Sequence, residues 1–246
     1  MQINLVSCIF ILDSEKNENI RKNDIKKLKL LVTKDSMLPN VLYKGNEIKK
    51  EIKEYIEKII GTKKFHLEQV YTSNTKDSVD IIYLAITNIE NIKKLNTNYS
   101  LIDFNVKNSI ITYGNNNYTY VTKEIIENNN IEYIHEVKVK DEILKYNLVN
   151  VLTCYKRIRS NIDNTDILFK FMGSVFTLED VRILYELIKG GKVDKSNFRK
   201  RIVKYCEKVD VEDFNKIAYR PSQKYKFKPL KGDVWLWFWQ LIIKEN

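Results

Sequence analysis

Five cations, Lys195, Arg199, Lys200, Arg201 and Lys204, fall within ten residues, interleaved with Ser196, Asn197 and the apolar Phe198 and Ile202. Those residue types suit contact with nucleic acid: Lys and Arg hold phosphate oxygens, and Asn or Arg can bond base edges. On a helix, at about 100° per residue, Phe198, Ile202, Tyr205 and Cys206 form one stripe. Ser196, Asn197, Lys200 and Lys204 then point the opposite way, with Arg199 and Arg201 on the flanks. A plainer reading stays open, because charge runs are usually solvated faces and a basic helix on any α-rich domain has the same pattern.

The flanking residues are those of a helix-turn-helix. Thr177 suits an N-cap, and Asp180 three residues on makes a capping box with Asp where Glu or Gln is usual. Leu178, Val181, Leu184, Tyr185 and Ile188 recur on one helical face. Gly190-Gly191 stops that helix, and Asp194 can cap the next one and offset its N-terminal dipole.

Downstream, residues 207–216 are mostly polar and acidic, and Ala218–Phe227 follows. Tyr225 and Phe227 alternate with Lys224, Lys226 and Lys228, the period of a strand with one basic face. Pro221 suits the start of an edge strand. A basic two-stranded element after such a helix reads as the wing of a winged helix, with Arg220 and Lys224 near phosphate or the minor groove. Charge distribution agrees. Residues 151–246 hold 20 Lys+Arg against 12 Asp+Glu, a net of +8 out of +10, and residues 1–150 hold 22 against 20. A membrane surface or an acidic protein would suit that charge as well.

Composition limits the remaining classes. With 246 residues, 43% hydrophobic content, 7 Gly and 3 Pro, the chain is globular, with one large or two ordinary domains. No run of about 18 apolar residues suggests a transmembrane helix. The opening MQINLVSCIFILDSEK lacks a basic segment and a small-residue cleavage site, so it reads as a strand. Cys8, Cys154 and Cys206 are widely spaced, which suggests a reduced, cytoplasmic setting without disulfides or a zinc site. His66 and His135 are the only histidines and read as structural residues, so no metal site is expected.

The front half reads as strand Ile3–Leu12, strand Lys27–Thr33, helix Glu47–Ile60 stopped by Gly61, then strands Phe65–Thr72 and Val79–Thr87 around a polar loop, Ser73–Ser78. That order describes an α+β sandwich with a mixed sheet. Pieces at 100–106, 109–113 and 117–122 have no clear place, and the Asn clusters at 115–117 and 128–130 look like loop tips. A helix from Lys140 to Ser160, striped by Leu144, Leu148, Val151, Leu152, Tyr155 and Ile158, leads into the basic domain. The boundary is set at 145/146. Trp235, Trp237 and Trp239, within five residues near the end, should not stay exposed and call for packing on the winged domain or a dimer contact.

Four stretches resemble the Nudix-related transcriptional regulators, a family with an N-terminal Nudix-like domain and a C-terminal winged helix. They are Leu67–Thr72 with Tyr83–Ala85; Phe176–Leu178 with Tyr185-Glu186; Asp194–Arg201; and Arg220-Pro221 with Tyr225–Phe227. The resemblance implies a Nudix-like α/β/α sandwich over residues 1–145 and a winged helix-turn-helix over 146–246. The Nudix box, with its Arg and its Glu residues spaced one turn apart to hold a divalent metal against pyrophosphate, is eroded here. Asn40-Val41 replace paired glycines. Anchoring on Gly61 puts Glu54 at the Arg position, Tyr55 at the first Glu, and Lys58 and Ile59 at the Glu pair. A slip of one residue aligns Glu54 and Glu57, with Lys53 for Arg and Lys58 for the last Glu. No register restores the set, and a lysine among the ligands repels Mg²⁺. Neither catalytic nor metal residues are therefore expected. Glu47, Glu51, Glu54 and Glu57 would otherwise form a solvated face, paired with Lys50, Lys53 and Lys58.

What the resemblance implies is a homodimeric, ligand-responsive repressor of double-stranded DNA that needs no cofactor. Lys195, Ser196, Asn197, Arg199, Lys200, Arg201, Lys204, Arg220 and Lys224 would contact DNA. The effector would be ADP-ribose or a related nucleotide or sugar, with Tyr71 and Thr72 walling its pocket, although sheet packing explains those two equally well. The competing expectation is a Nudix hydrolase of nucleoside-diphosphate sugars, in which the basic domain grips nucleotide or mediates assembly.

Overall fold

The computed structural model describes residues 2–15, 24–74, 78–127, 130–209 and 222–229. Arg220, Pro221 and the tryptophan segment 235–239 lie outside the described residues.

The chain divides into two compact units, Met1–Ile158 and Arg159–Asn246. The first is built on a nine-stranded sheet. Its strands are β1 (Gln2–Glu15), β2 (Ile25–Thr33), β3 (Asn40–Leu42), β4 (His66–Asn74), β5 (Ser78–Asn88), β6 (Tyr99–Lys107), β7 (Ile110–Tyr113), β8 (Asn116–Glu127) and β9 (Asn130–Val137). They run in the order β4-β5-β1-β2-β6-β7-β8-β9, with β3 paired to β1. Only β1 and β5 pair in parallel, from Gln2↔Ser78 to Leu12↔Asn88, so the sheet is mixed as expected. Leu5 to Leu12 are all buried, which explains why β1 reads as an unbroken apolar run: helices cover both of its faces.

Alternation along β1 separates those faces. Leu5, Ile9 and Ile11 pack with Ile52, Ile56, Ile59 and Ile60 of α1 (Ile48–Ile60). Phe10 points the other way, edge-on to Phe104, which in turn meets Tyr155 of α2 (Glu142–Asn161). α1 ends where Gly61 adopts φ 67°; a Cβ there would sit 2.9 Å from the Lys94 carbonyl oxygen. α2 carries Leu148, Val151, Leu152 and Tyr155 buried on the sheet, and for this reason the first unit extends to Ile158 instead of ending at 145.

Two further expectations change. Ser73 and Asn74 continue β4 and Ser78 begins β5, so the strands take up both ends of the expected polar loop, and 75–77 lie outside the described residues. The unplaced pieces at 100–122 are strands β6 to β8, a meander whose partners lie next to it in sequence.

The second unit holds α3 (Ile167–Lys170), α4 (Leu178–Lys189), α5 (Lys195–Ile202), β10 (Cys206–Val209) and β11 (Lys224–Phe227). β10 and β11 pair antiparallel, and Tyr225 exchanges backbone hydrogen bonds with Phe176 at 2.8 and 2.9 Å. A third short segment thereby joins the ribbon. Among the described residues no helix is long and apolar enough to cross a membrane.

Candidate nucleic-acid interface

Local chemistry sets the start of each helix in the pair. Thr177 Oγ1 accepts from the Asp180 amide at 3.0 Å while Asp180 Oδ2 accepts from the Thr177 amide at 2.9 Å, completing the expected capping box. α4 ends at Gly190, φ 77°, whose amide donates to Glu186 O. Asp194 Oδ1 accepts from the Asn197 amide at 2.8 Å and opens α5.

Phe198 and Ile202 are buried under α5, and the Phe198 ring lies 5.3 Å from Tyr185. Lys195, Ser196, Asn197, Arg199, Lys200 and Arg201 are all exposed on α5. Lys204 is exposed too, but it stands in a 3-10 turn, Val203–Tyr205, because the α-helix closes at Ile202. Tyr205 therefore packs from that turn, and Cys206 opens β10 instead of continuing the helical stripe. Lys224 is half-buried at the start of β11, whereas Lys226 is exposed and pairs with Glu207 at 3.3 Å. Tyr225, between them, is buried. β10 is the wing strand that sequence patterning missed: Cys206–Val209 alternates too briefly to stand out without its partner.

The sequence reading also assigned no role to a buried ion network behind α5. Arg182 bonds Glu186 and lies 2.5 Å from Glu179. Glu186 accepts from Lys192 Nζ at 2.9 Å and from the Val193 amide at 3.1 Å. Burial works to raise the Glu186 carboxyl. Lys192, the Val193 amide and Arg182 outweigh it and hold the group below the usual carboxylate range. One carboxylate thus ties the last turn of α4 to the residue preceding the α5 cap. The Arg182–Glu186 spacing of four residues was the available signal. Asp163 adds a second tie, accepting from the Tyr185 hydroxyl at 2.8 Å; burial first, then that bond, pushes the Tyr185 hydroxyl up to about 12.

In the first unit, β4 separates the two residues expected to wall an effector pocket. Tyr71 pairs with Ile82 and Thr72 with Ile81, so their side chains leave opposite faces. The Tyr71 hydroxyl donates to Asn150 of α2, and Thr72 Oγ1 accepts from Gln69 Nε2 at 3.3 Å. On α1, Glu54, Lys53 and Lys58 are exposed and Glu57 is half-buried. Glu51 departs from the expected solvated, lysine-paired face: Oε1 accepts from the Lys44 amide at 3.0 Å, and Oε2 is buried without a partner.

Comparison with known proteins adds a match over most of the described second unit. Residues 168–227 match the NrtR DNA-binding winged helix domain. The NrtR-type segment runs from α3 through β11, with α4 and α5 as its helix pair and β10–β11 as its wing. Solved structures resemble the chain over more of its length. A MutT/nudix family protein from Enterococcus faecalis aligns with a TM-score of 0.63 at 16% identity, over 93% of this chain and 89% of the other. NrtR of Shewanella oneidensis gives 0.62 at 10%, over 93% and 94%. The same NrtR complexed with a 27mer DNA gives 0.59 at 12%, over 92% and 93%. Such identities speak for the fold: a Nudix-like sheet domain followed by an NrtR-type winged helix. Among curated proteins, none matches this chain by sequence.

Proposed function

We propose that the chain is a Nudix-related transcriptional regulator that binds double-stranded DNA through α5 and the β10–β11 wing. The observation that carries this is the exposed row Lys195 to Arg201 on a helix capped by Asp194, within the segment that matches the NrtR DNA-binding domain. Lys195, Lys200, Arg201 and Lys204 supply phosphate contacts, Asn197 and Arg199 reach base edges, and Lys224 extends the contact from the wing, with Arg220, outside the described residues, proposed for DNA contact from its sequence position alone. A cytoplasmic homodimer acting as a repressor would place two such helices on half-sites about one helical turn apart.

In this reading the first unit senses a nucleotide or sugar, ADP-ribose being one candidate, and does not hydrolyse it. The support is Lys53 and Lys58 beside Glu54 and Glu57 on α1, where a metal-binding helix needs carboxylates. Rapid AMP release from ADP-ribose with Mg²⁺ would overturn that part.

The main test is duplex binding titrated against salt. Each lost phosphate contact lowers the slope of log affinity against log salt by about 1. Lys200→Ala with Lys204→Ala should lower the slope by about 2 and weaken binding alike on all sequences. Unchanged affinity would remove α5 from the interface.

A further inference from the structure

The second unit contains an apolar cavity of about 180 Å³ between α3, α4, α5 and the end of β11. Leu168, Phe169, Phe198, Ile202, Tyr205 and Phe227 line it. Phe169 and Phe227 stack with ring centroids 4.4 Å apart, yet both are only half-buried, so the pair keeps apolar surface that the described residues leave uncovered. An apolar cavity of about 150 Å³ takes a benzene ring, so this one suits a single aromatic side chain. Its mouth is polar: Asp163, Asn164 and Asp166 border it. Asp163 accepts from Tyr185 and Lys189, and Asp166 pairs with Lys170. A carboxylate has about four lone-pair sites, so each has room for another donor. An apolar floor beneath such acceptors fits a flat ring that carries one donor.

The chain itself supplies that ring. Pro229 lines the cavity, and the Lys228 amide donates to the Tyr205 carbonyl at 2.9 Å, so the backbone leaving β11 is tied to one of the cavity's own walls. Residues 230–246 follow, outside the described residues and beyond the segment that matches the NrtR domain. All 3 tryptophans of the chain, Trp235, Trp237 and Trp239, lie there, and the same stretch has no tyrosine. Six extended residues span about 20 Å, which brings even Trp235 within reach of a cavity that Pro229 borders. A ring on so short a tether is present at an effective concentration of about millimolar, which a diffusing ligand or second copy must exceed to displace it.

We propose that residues 230–243 dock on their own second unit and seat one tryptophan ring in this cavity, with the indole N–H on the acceptors at the mouth. The seated ring meets α3 through Leu168 and Phe169, α5 through Phe198 and Ile202, and the wing through Phe227. It therefore braces the wing against the helix whose outer face carries the basic row. Docking of this kind is independent of DNA recognition and holds whether or not the unit binds a duplex.

Because every tryptophan lies in this segment, the intrinsic tryptophan emission of the full chain reports on it alone. The emission should be blue-shifted and shielded from acrylamide, equally at all protein concentrations. Three chains that each keep one tryptophan, with the other two changed to Phe, identify the seated ring. Phe169→Asp puts a charge on the cavity floor and should return that ring to the quenching of free N-acetyltryptophanamide. A second variant leaves the cavity intact should Phe169→Asp unfold: a nitroxide on Asn164→Cys at the mouth, in a chain with Cys206→Ser, should quench the seated tryptophan by contact. Emission typical of exposed indole in the full chain overturns the proposal. So does shielding that grows with protein concentration, which marks a second copy as the partner, or shielding that appears only with anionic phospholipid vesicles, which marks a membrane surface. A shielded tryptophan that the nitroxide at position 164 does not quench overturns it as well, since the segment then packs elsewhere.

Discussion

α1 buries four isoleucines, Ile52, Ile56, Ile59 and Ile60, against the sheet of the first unit, whereas α5 buries only Phe198 and Ile202. Both are amphipathic and both begin at an acidic N-cap position, but Glu47 makes no capping bond and Asp194 does. α1 is held by apolar area. α5 is held by polar fixtures at its start, the Asp194 cap and the Glu186 tie to Val193, which leave its outer face unobstructed. A helix that must present its surface to a partner cannot be wrapped by its own domain, so directional bonds take over the positioning that burial supplies elsewhere.

The largest break in that comparison should come from Glu186→Ala. Removing it leaves the buried Arg182 with Glu179 as its carboxylate partner and also unties Lys192 and the Val193 amide, a loss on the scale of the roughly 3–5 kcal/mol that follows when a buried charge pair is broken. Chemical denaturation of the second unit should show the loss, with duplex affinity falling alongside. Acid sharpens the point. The folded Glu186 carboxyl lies below its ordinary 4.5, so the unfolded chain holds the proton more tightly. The network's contribution is full above about pH 4.5 and is lost as pH falls through the lower folded value. Glu186→Gln should remove that share of the acid sensitivity.

Ile56→Ala tests the other side. Its side chain is fully buried, and Leu- or Ile-to-Ala changes in cores cost about 2–5 kcal/mol. The first unit should unfold earlier in denaturant. The intrinsic affinity of the second unit for DNA should hold where the first remains folded, since α5 and its fixtures are untouched. Equal damage to both would mean that α1 positions more than its own sheet.

Asp194→Ala should cost about 1 kcal/mol, the usual loss of an N-cap. The measurement is again denaturation of the second unit, paired with duplex binding. Because Glu186 holds the residue before the cap, affinity should fall less than with Glu186→Ala.

These contrasts also explain what the sequence made legible. α4 came out nearly to the residue, and α5 at its start, because Thr177, Asp180, Gly190 and Asp194 signal those limits locally; the end of α5 at Ile202 did not, because the apolar stripe runs on through Tyr205 and Cys206. The core strands β1 and β5 were evident from apolar runs, and β2 from a loose alternation. β6 to β9 were not, because Tyr99–Lys107 and Asn116–Glu127 mix polar and apolar residues and declare themselves only through pairing. In the same way β10 needs β11, some 15 residues away, before Cys206–Val209 becomes a strand. The exposed basic row was readable as a pattern. The Glu186 tie required knowing that the turn folds Val193 back toward α4.

The smallest effect should come from Glu54→Gln combined with Glu57→Gln. If α1 is only a packing helix, its outer carboxylates sit away from the isoleucine face, and surface changes of this kind stay within about 0.5 kcal/mol. Duplex binding should also be unaltered. A metal-binding α1 makes a different prediction. Mg²⁺ would then stabilise the wild-type chain in proportion to its occupancy and fail to stabilise the double variant. Thermal melting with and without Mg²⁺ distinguishes the two. Equal melting temperatures in all four samples keep α1 as scaffold, and a Mg²⁺-dependent rise confined to wild type would make it a ligand helix despite Lys53 and Lys58.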